Sequence, residues 1–250
     1  MFFQIKDGMH PTESRRIHGQ MSEAILTAGL LSVSGGLQDA YTYVFRGKVF
    51  SNAQTGNIVL LSINIYNHNW SQALRYFIPL IFFAFGIIVA EWIREKYFNL
   101  QKIHWRQIVL INEILLLFIV GLLPERIDIL ANAMVSFSCA MQVQTFRKVT
   151  GYAFSSTMCI GNMRGGMESI FIYLKTKDRK VLKKAIRYWQ IIFLFGIGAI
   201  IGGHLVSKFG ACTIWGSCMF LFVCVGLMFI REERNIHMYS TTDMEDLKTT

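Results

Sequence analysis

The sequence predicts an all-α, polytopic membrane protein built from six transmembrane helices and two re-entrant or broken half-helix segments. Three observations carry that prediction. Of 250 residues 53% are apolar and only 16% charged, against roughly 25% charged in a soluble domain. The apolar residues gather in stretches near the roughly 20 residues that cross a hydrocarbon core as a helix. Most Lys and Arg lie in short segments between those stretches, where anionic headgroups meet them, so the net charge of +9 reads as topological and no nucleic-acid partner is expected.

The elements follow in chain order. Residues 1–22 carry Lys6, Arg15 and Arg16 without an apolar run, so no cleaved secretory signal is expected and the segment is predicted to be cytoplasmic. Spans are predicted over 24–45, 74–95, 106–123, 127–145, 184–206 and 211–230. Two further segments, 49–67 and 152–174, are apolar but interrupted by Ser51-Asn52, Thr55-Gly56-Asn57, Gly161-Asn162, Arg164-Gly165-Gly166 and Glu168. Letting both enter and return on one side concentrates Lys and Arg in cytoplasmic loops more steeply than letting both cross. The prediction is therefore six spans in the cell (cytoplasmic) membrane with both termini cytoplasmic. Basic loops fall at 94–106 and 175–187, the transmembrane domain at 23–231, and a polar tail at 232–250. Trp92, Trp105 and Trp189 fall near the predicted interfaces, as an aromatic belt would place them.

An internal repeat runs through this order. Ser34 to Ser51 laid on Ser138 to Ser155 pairs Gln38 with Gln142, Gly47 with Gly151 and Phe50 with Phe154; Gly56-Asn57 then meets Gly161-Asn162. Arg75-Tyr76 answers Arg187-Tyr188, and Gly86-x-x-x-Ala90 answers Gly198-x-x-x-Gly202. The halves, about 23–123 and 127–230, each hold an odd number of spans, so the second is expected upside down relative to the first. Inverted repeats of this kind place a site at the midplane, where they meet. Ala28, Ser32, Gly36 and Ala40 form a small-residue stripe suited to close packing, and Asn132, Ser136, Ala140 and Gln144 form its counterpart. Asn132 and Gln144 read either as interhelical hydrogen bonds or as cavity lining.

The candidate chemistry is sparse. Asp39 lies within the first span, where an ionised carboxylate costs about 2.5–3.5 kcal/mol on insertion scales. Either a buried partner such as Arg164 offsets that cost, or Asp39 is a proton or cation site. Asn57 and Asn162 each precede an apolar run and are expected to N-cap a half-helix. Two such N-termini facing the midplane would favour an anionic group, with Arg164 adding a full charge, or would simply stabilise Asp39. Glu168, four residues after Arg164, shares its helix face and suits an intrahelical pair. Glu113 is expected to face the bundle interior, and His204 to be a hydrogen-bonded packing residue. Cys139, Cys159, Cys212, Cys218 and Cys224 are odd in number, lack C-x-x-C spacing and read as reduced packing residues.

Ser34-Gly35-Gly36-Leu37-Gln38-Asp39-Ala40 followed by Asn52-Ala53-Gln54-Thr55-Gly56-Asn57 resembles the YoaK-type family of bacterial multi-pass membrane proteins, a family defined by a domain of unknown function. The resemblance covers about residues 22–232. It carries the family motif onto Gly35, Gly36, Asp39, Ala40, Thr55, Gly56 and Asn57, and implies a multi-pass protein without naming a substrate. The second half reads Ile160-Gly161-Asn162 and has Val143 opposite Asp39, so any site is expected to be asymmetric.

These readings lead to a small-solute transporter with Gln38, Asp39, Thr55, Asn57, Asn162, Arg164 and Glu168 as candidate binding residues. Gly35, Gly36, Ala40, Gly56 and Gly161 are the structural glycines and alanine around them. A selective channel and a non-transporting scaffold or assembly factor are the alternatives. No H-E-x-x-H, G-x-S-x-G or Walker pattern occurs, so neither an enzyme nor a cofactor is expected. Membrane lipid and an unidentified small solute or ion are the expected partners, with a homo-oligomer open to the chain.

Overall fold

The computed structural model describes residues 11–97, 105–149, 152–153 and 157–229, with side chains described over 25–97, 105–147 and 157–229. Residues 1–10, part of the predicted loop at 94–106, Gly151 and Phe154 of the repeat, and the predicted tail at 232–250 lie outside the described residues. The chain is helical: α1 (Pro11–Phe45), α2 (Gln54–Tyr66), α3 (Trp70–Tyr97), α4 (Trp105–Leu122), α5 (Asp128–Thr145), α6 (Cys159–Thr176), α7 (Arg179–Phe209) and α8 (215–229). Short 3-10 turns, Glu125–Ile127 and Gly210–Ile214, lead into α5 and α8. Between α5 and α6, Lys148–Val149 (β1) pairs antiparallel with Tyr152–Ala153 (β2).

Every expected helix is present, but α1, α3 and α7 start earlier than their apolar runs, the last two behind a cap. Asn69 accepts from the Gln72 N–H (3.4 Å) ahead of α3, and Asp178 accepts from the Lys180 N–H (2.8 Å) ahead of α7. These caps satisfy end donors that no intrahelical carbonyl reaches, so the helices run past their hydrophobic segments. The turns before the caps are alike as well: His68 and Lys177 both take the left-handed conformation.

In each half a shorter second helix, α2 or α6, precedes a longer third one, α3 or α7, and the halves pack reciprocally. α2 lies along α3 and α6 along α7, while α1 packs on α7 and α3 on α5. The crossings are backbone contacts. A Cβ on Gly198 would run into the Val33 carbonyl of α1, and one on Gly86 would stand 2.5 Å from the Phe137 carbonyl of α5. Gly202 and Gly36 continue the first crossing against Leu37 and Phe195. The two small-residue motifs paired in the sequence thus do the same work in the two halves.

Among the described residues, three helical stretches are long and apolar enough to cross a membrane: Trp70–Tyr97, Trp105–Leu122 and Arg179–Phe229, the last containing both α7 and α8. α1 and α5 are less apolar because they are the inner helices. From Ala28 to Thr42 almost every α1 side chain is buried, and α5 buries Asn132, Ser136, Ser138 and Gln142 among its small residues. A helix covered by protein needs no lipid-compatible face. The outer faces carry that burden instead: Phe77, Ile81, Phe85 and Ile88 on α3, Leu115 and Phe118 on α4, Met163, Met167 and Phe171 on α6, and Phe193 and Ile200 on α7 are exposed. An apolar exterior over an interior that mixes an apolar core with many buried polar side chains fits lipid as the surrounding solvent. Trp92 and Trp189 are exposed as expected of interfacial residues, whereas Trp105 is buried against Ala90, Ile93, Val109 and Met141 and belongs to the core.

The crossings make a direct prediction. Gly198→Ala and Gly86→Ala are each expected to lower the thermal unfolding midpoint of the detergent-purified protein, by the ~1–3 kcal/mol typical of overpacking. Gly203→Ala, at a position where a Cβ meets nothing within 4 Å, is expected to leave it unchanged.

Candidate functional site

The interior polar groups converge on one stretch of α1. After Phe45 the chain turns back along α1, so that Ser51 and Asn52 stand beside Asp39 and Gly35. Asp39 Oδ1 accepts from the Ser51 hydroxyl (2.9 Å) and the Asn52 N–H (2.8 Å), and Asn52 Nδ2 donates to the Gly35 carbonyl (3.3 Å). Asp39 is 8% exposed. The turn is held by Asn57. Its Oδ1 accepts from the Phe50 N–H (3.1 Å), and its Nδ2 donates to the Phe50 carbonyl (2.6 Å) and to Gln54 Oε1 (2.9 Å). Gln54 Nε2 in turn donates to the Ser51 carbonyl (2.8 Å). Gly56 leaves room for the Phe50 ring, which a Cβ would meet at 3.1 Å, and that ring stacks on Tyr43.

The second half reaches the same place. The Thr157 methyl occupies the space over Gly35 that a Cβ would fill, and Cys159, first residue of α6, lies within electrostatic reach of Asp39. The N-terminal ends of both short helices therefore meet α1 between Gly35 and Asp39. Asn52 Oδ1 and Thr157 Oγ1, both buried there, have no hydrogen-bond partner.

One residue away, a second buried network begins. Gln38 Nε2 donates to Ser34 Oγ (3.0 Å) and to Glu113 Oε1 (3.3 Å) on α4, and Gln38 Oε1 accepts from the Cys139 thiol (2.8 Å) on α5. Glu113 is fully buried, as its position predicts. Cys139 lies within electrostatic reach of both Asp39 and Glu113 and so joins the two clusters.

The third polar feature has no counterpart in the sequence reading. Arg46, 0% exposed, pairs with Asp128 (2.9 Å) at the start of α5, donates to the Val120 carbonyl (3.0 Å) in the last turn of α4 and to the Leu123 (2.8 Å) and Pro124 (3.3 Å) carbonyls after it, and donates to the Tyr41 hydroxyl (2.8 Å). A guanidinium with five donors suits orphan carbonyls at a helix C-terminus together with a carboxylate. Asn132 Nδ2 donates to the Arg46 carbonyl (2.6 Å), closing the junction. At the opposite end of α5, Gln144 hydrogen-bonds Glu91 of α3, which also pairs with Arg147 (3.1 Å) and Arg94 (3.2 Å). Asn132 and Gln144 are thus interhelical hydrogen bonds.

Several expected roles are corrected. α2 begins at Gln54 after Ala53, and α6 at Cys159 after Met158, so Asn57 and Asn162 lie inside their helices and cap neither. Asn57 binds the preceding loop instead; Asn162 is buried, and Thr55 is exposed at the start of α2. Arg164 is exposed and is no partner of Asp39; Ser51 and Asn52 serve Asp39 instead. Glu168 is exposed too, and the salt bridges of the described residues do not include an Arg164–Glu168 pair. Spacing on one helix face brings two side chains within reach, but outside the bundle nothing holds them together. Gly161 is exposed with open space where a Cβ would stand, unlike Gly56. Ala40 contacts α7 at Gly202. His204 is exposed and does not pack in the interior. The cysteines are free, with Cys139, Cys218 and Cys224 buried, Cys159 half-buried and Cys212 exposed. Sequence reasoning missed Ser51, Thr157 and Arg46; only Asn52 stood inside the motif that drew attention to Asn57. Among the described residues no three His, Cys, Asp or Glu side chains gather as a metal site.

An apolar helical exterior around a buried, hydrogen-bonded acidic interior defines a transmembrane protein. The chain belongs to the family described as Protein of unknown function (DUF1275), whose model matches residues 27–227. It is similar to the UPF0700 transmembrane protein YoaK of Bacillus subtilis (strain 168), at 27% identity over 205 residues, covering 77% of this chain and 88% of that protein. No solved structure matches it.

The geometry ranks three substitutions. Arg46→Met, which strips the buried Asp128 pair and three carbonyl contacts, is expected to cost about 3–5 kcal/mol, and Asn57→Ala about 1–3 kcal/mol. Thr55→Ala, though in the same motif, is expected to stay within about 0.5 kcal/mol. Thermal unfolding of the three purified variants in one detergent tests the order.

Proposed function

We propose that the chain is a small-solute transporter of the cytoplasmic membrane, with its site at Asp39 where the ends of both short helices meet α1. The observation that carries this reading is the convergence of Ser51 and Asn52 from one half and Thr157 and Cys159 from the other on Gly35–Asp39. A site between two repeats can be exposed to either side as they rock. The unpartnered Asn52 and Thr157 oxygens beside a carboxylate favour a cation, a proton or the hydrogen-bond donors of a solute. They replace the anionic group that Arg164, now on the outer face, would have attracted.

The proposed topology is six spans, α1, α3, α4, α5, α7 and α8, with α2 and α6 re-entrant, the repeats inverted and both termini cytoplasmic. Its support is the placing of helix ends. Arg46 joins the end of α1 to the end of α4 and the start of α5, while Glu91 and Gln144 join the ends of α3 and α5. If α2 crossed the membrane, the ends of α1 and α4 would fall on opposite sides and the Arg46 contacts could not form. At 13 residues α2 also reaches only about 20 Å, short of a hydrocarbon core of about 30 Å.

Two measurements test this. Impermeant thiol labelling of cysteines placed singly at positions 68, 99 and 147 is expected to find 68 external and 99 and 147 cytoplasmic; position 99 external would restore an eight-span chain. Vesicles carrying the purified protein, screened with tracer small organic anions, inorganic anions and cations, are expected to take up a solute in saturable fashion. Asp39→Asn is expected to abolish that uptake and Arg164→Gln to preserve it. Uptake equal in Asp39→Asn and wild type, both correctly inserted, would sink the assignment.

A further inference from the structure

Glu113 takes no part in the Asp39 site, yet it is the more unusual carboxyl. It sits midway along α4, 0% exposed. Among the described residues it accepts a hydrogen bond from Gln38 Nε2 at 3.3 Å, and Oε2 has no partner. The groups around it are neutral: Gln38 of α1 bonds it, Ser34 and Cys139 bond Gln38 in turn, and Cys218 and Cys224 of α8 lie within electrostatic reach. The basic residues of the described salt bridges are elsewhere, Arg46 with the partly buried Asp128, and Arg94 and Arg147 with the partly exposed Glu91. Asp39, also buried among neutral groups, differs in its hydrogen bonds, since one of its oxygens accepts two donors at 2.9 Å or less.

An isolated charge in a medium without water costs several kcal/mol, and one neutral hydrogen bond does not offset it. A proton is the smallest countercharge that fits a site with no room for a cationic side chain. Gln38 is built to sense it. Its amide N–H2 is shared between Ser34 and Glu113, and its carbonyl takes the thiol of Cys139, so it holds α1, α4 and α5 together at the residue next to Asp39.

We propose that Glu113 is the proton carrier of the transport cycle. The Glu113 O–H bond is intact while α1 and α4 pack as described. When the bundle opens the α1–α4 contact to water on one side, that bond breaks and the proton passes to that water; the contact stays parted until the site faces the other side, where the carboxylate takes a proton from that water before the contact closes. Gln38 ties this event to the Asp39 site, making solute movement proton-coupled. The inference rests on the transport reading for its cycle but not for the proton itself.

The test has two arms on the full chain in lipid vesicles. Infrared spectra at neutral pH are expected to show the C=O stretch of a protonated carboxyl that shifts when glutamate side-chain carboxyls carry 13C. Aspartate labelling should leave it in place, and it should disappear in Glu113→Gln and persist in Asp39→Asn. Isotope labelling of the wild type keeps this arm decisive even if Glu113→Gln does not fold. In the second arm, vesicles loaded with a pH-sensitive dye receive the same panel of solutes. The wild type is expected to move protons with solute, and Glu113→Gln to lose the proton signal while still exchanging solute independently of pH. No protonated carboxyl at neutral pH overturns the proposal, as does a proton signal unchanged in Glu113→Gln. A glutamate band accompanied by no solute movement at all leaves Glu113 as a resting acid and overturns the transport reading and the carrier role together.

Discussion

Gly198 against the Val33 carbonyl and Gly86 against the Phe137 carbonyl set how closely α7 approaches α1 and α3 approaches α5. In lipid no hydrophobic force drives helices together, so packing at this range, with dispersion and weak contacts between backbones, has to supply the association. Once α1 and α5 are each held this tightly, their faces are covered by protein and are free to be polar. Ser32, Ser34, Gln38 and Thr42 on α1 and Asn132, Ser136, Ser138 and Gln142 on α5 follow from that permission. The glycines and the buried polar groups are two sides of one arrangement.

A polar interior must then satisfy itself from within. Most of it does so by reaching across helices: Ser32 Oγ donates to the Ile191 carbonyl of α7 (2.9 Å), Ser217 Oγ to the Ser34 carbonyl (3.3 Å), and Gln142 Nε2 to the Leu31 carbonyl (3.4 Å). Against that background some buried oxygens have no partner among the described residues: those of Asn52 and Thr157 where the two short helices meet α1, Glu113 Oε2 on α4, those of Asn132, Ser136, Ser138 and Thr145 along α5, and that of Thr213 before α8. Stability alone gives no reason to leave them bare.

The sequence made the helices and their order legible because apolar runs of bilayer length are a strong signal. The pairing of Gly86 with Gly198 was legible because both lie in small-residue motifs, and each meets the backbone of a neighbouring helix. What it left hidden was local. Asn57 read as a cap because Asn before an apolar run usually is one; nothing in the linear pattern says that the helix starts three residues earlier and that the side chain turns back to Phe50. Arg164 read as a partner for Asp39 because it was the nearest charge in the repeat, whereas helix rotation places it on the outer face. Arg46 went unnoticed because it sits at the end of a span, where a basic residue is ordinarily a headgroup anchor. Its carbonyl partners carry no sequence signal at all.

Arg46 also has a meaning in time. It is made 82 residues ahead of Asp128, so a chain growing from the ribosome holds the guanidinium before its counterion exists. The carbonyls that close α4 arrive next, and the carboxylate last. A nascent first half is thus unfinished by one salt bridge, and the second half supplies it with the first residue of α5.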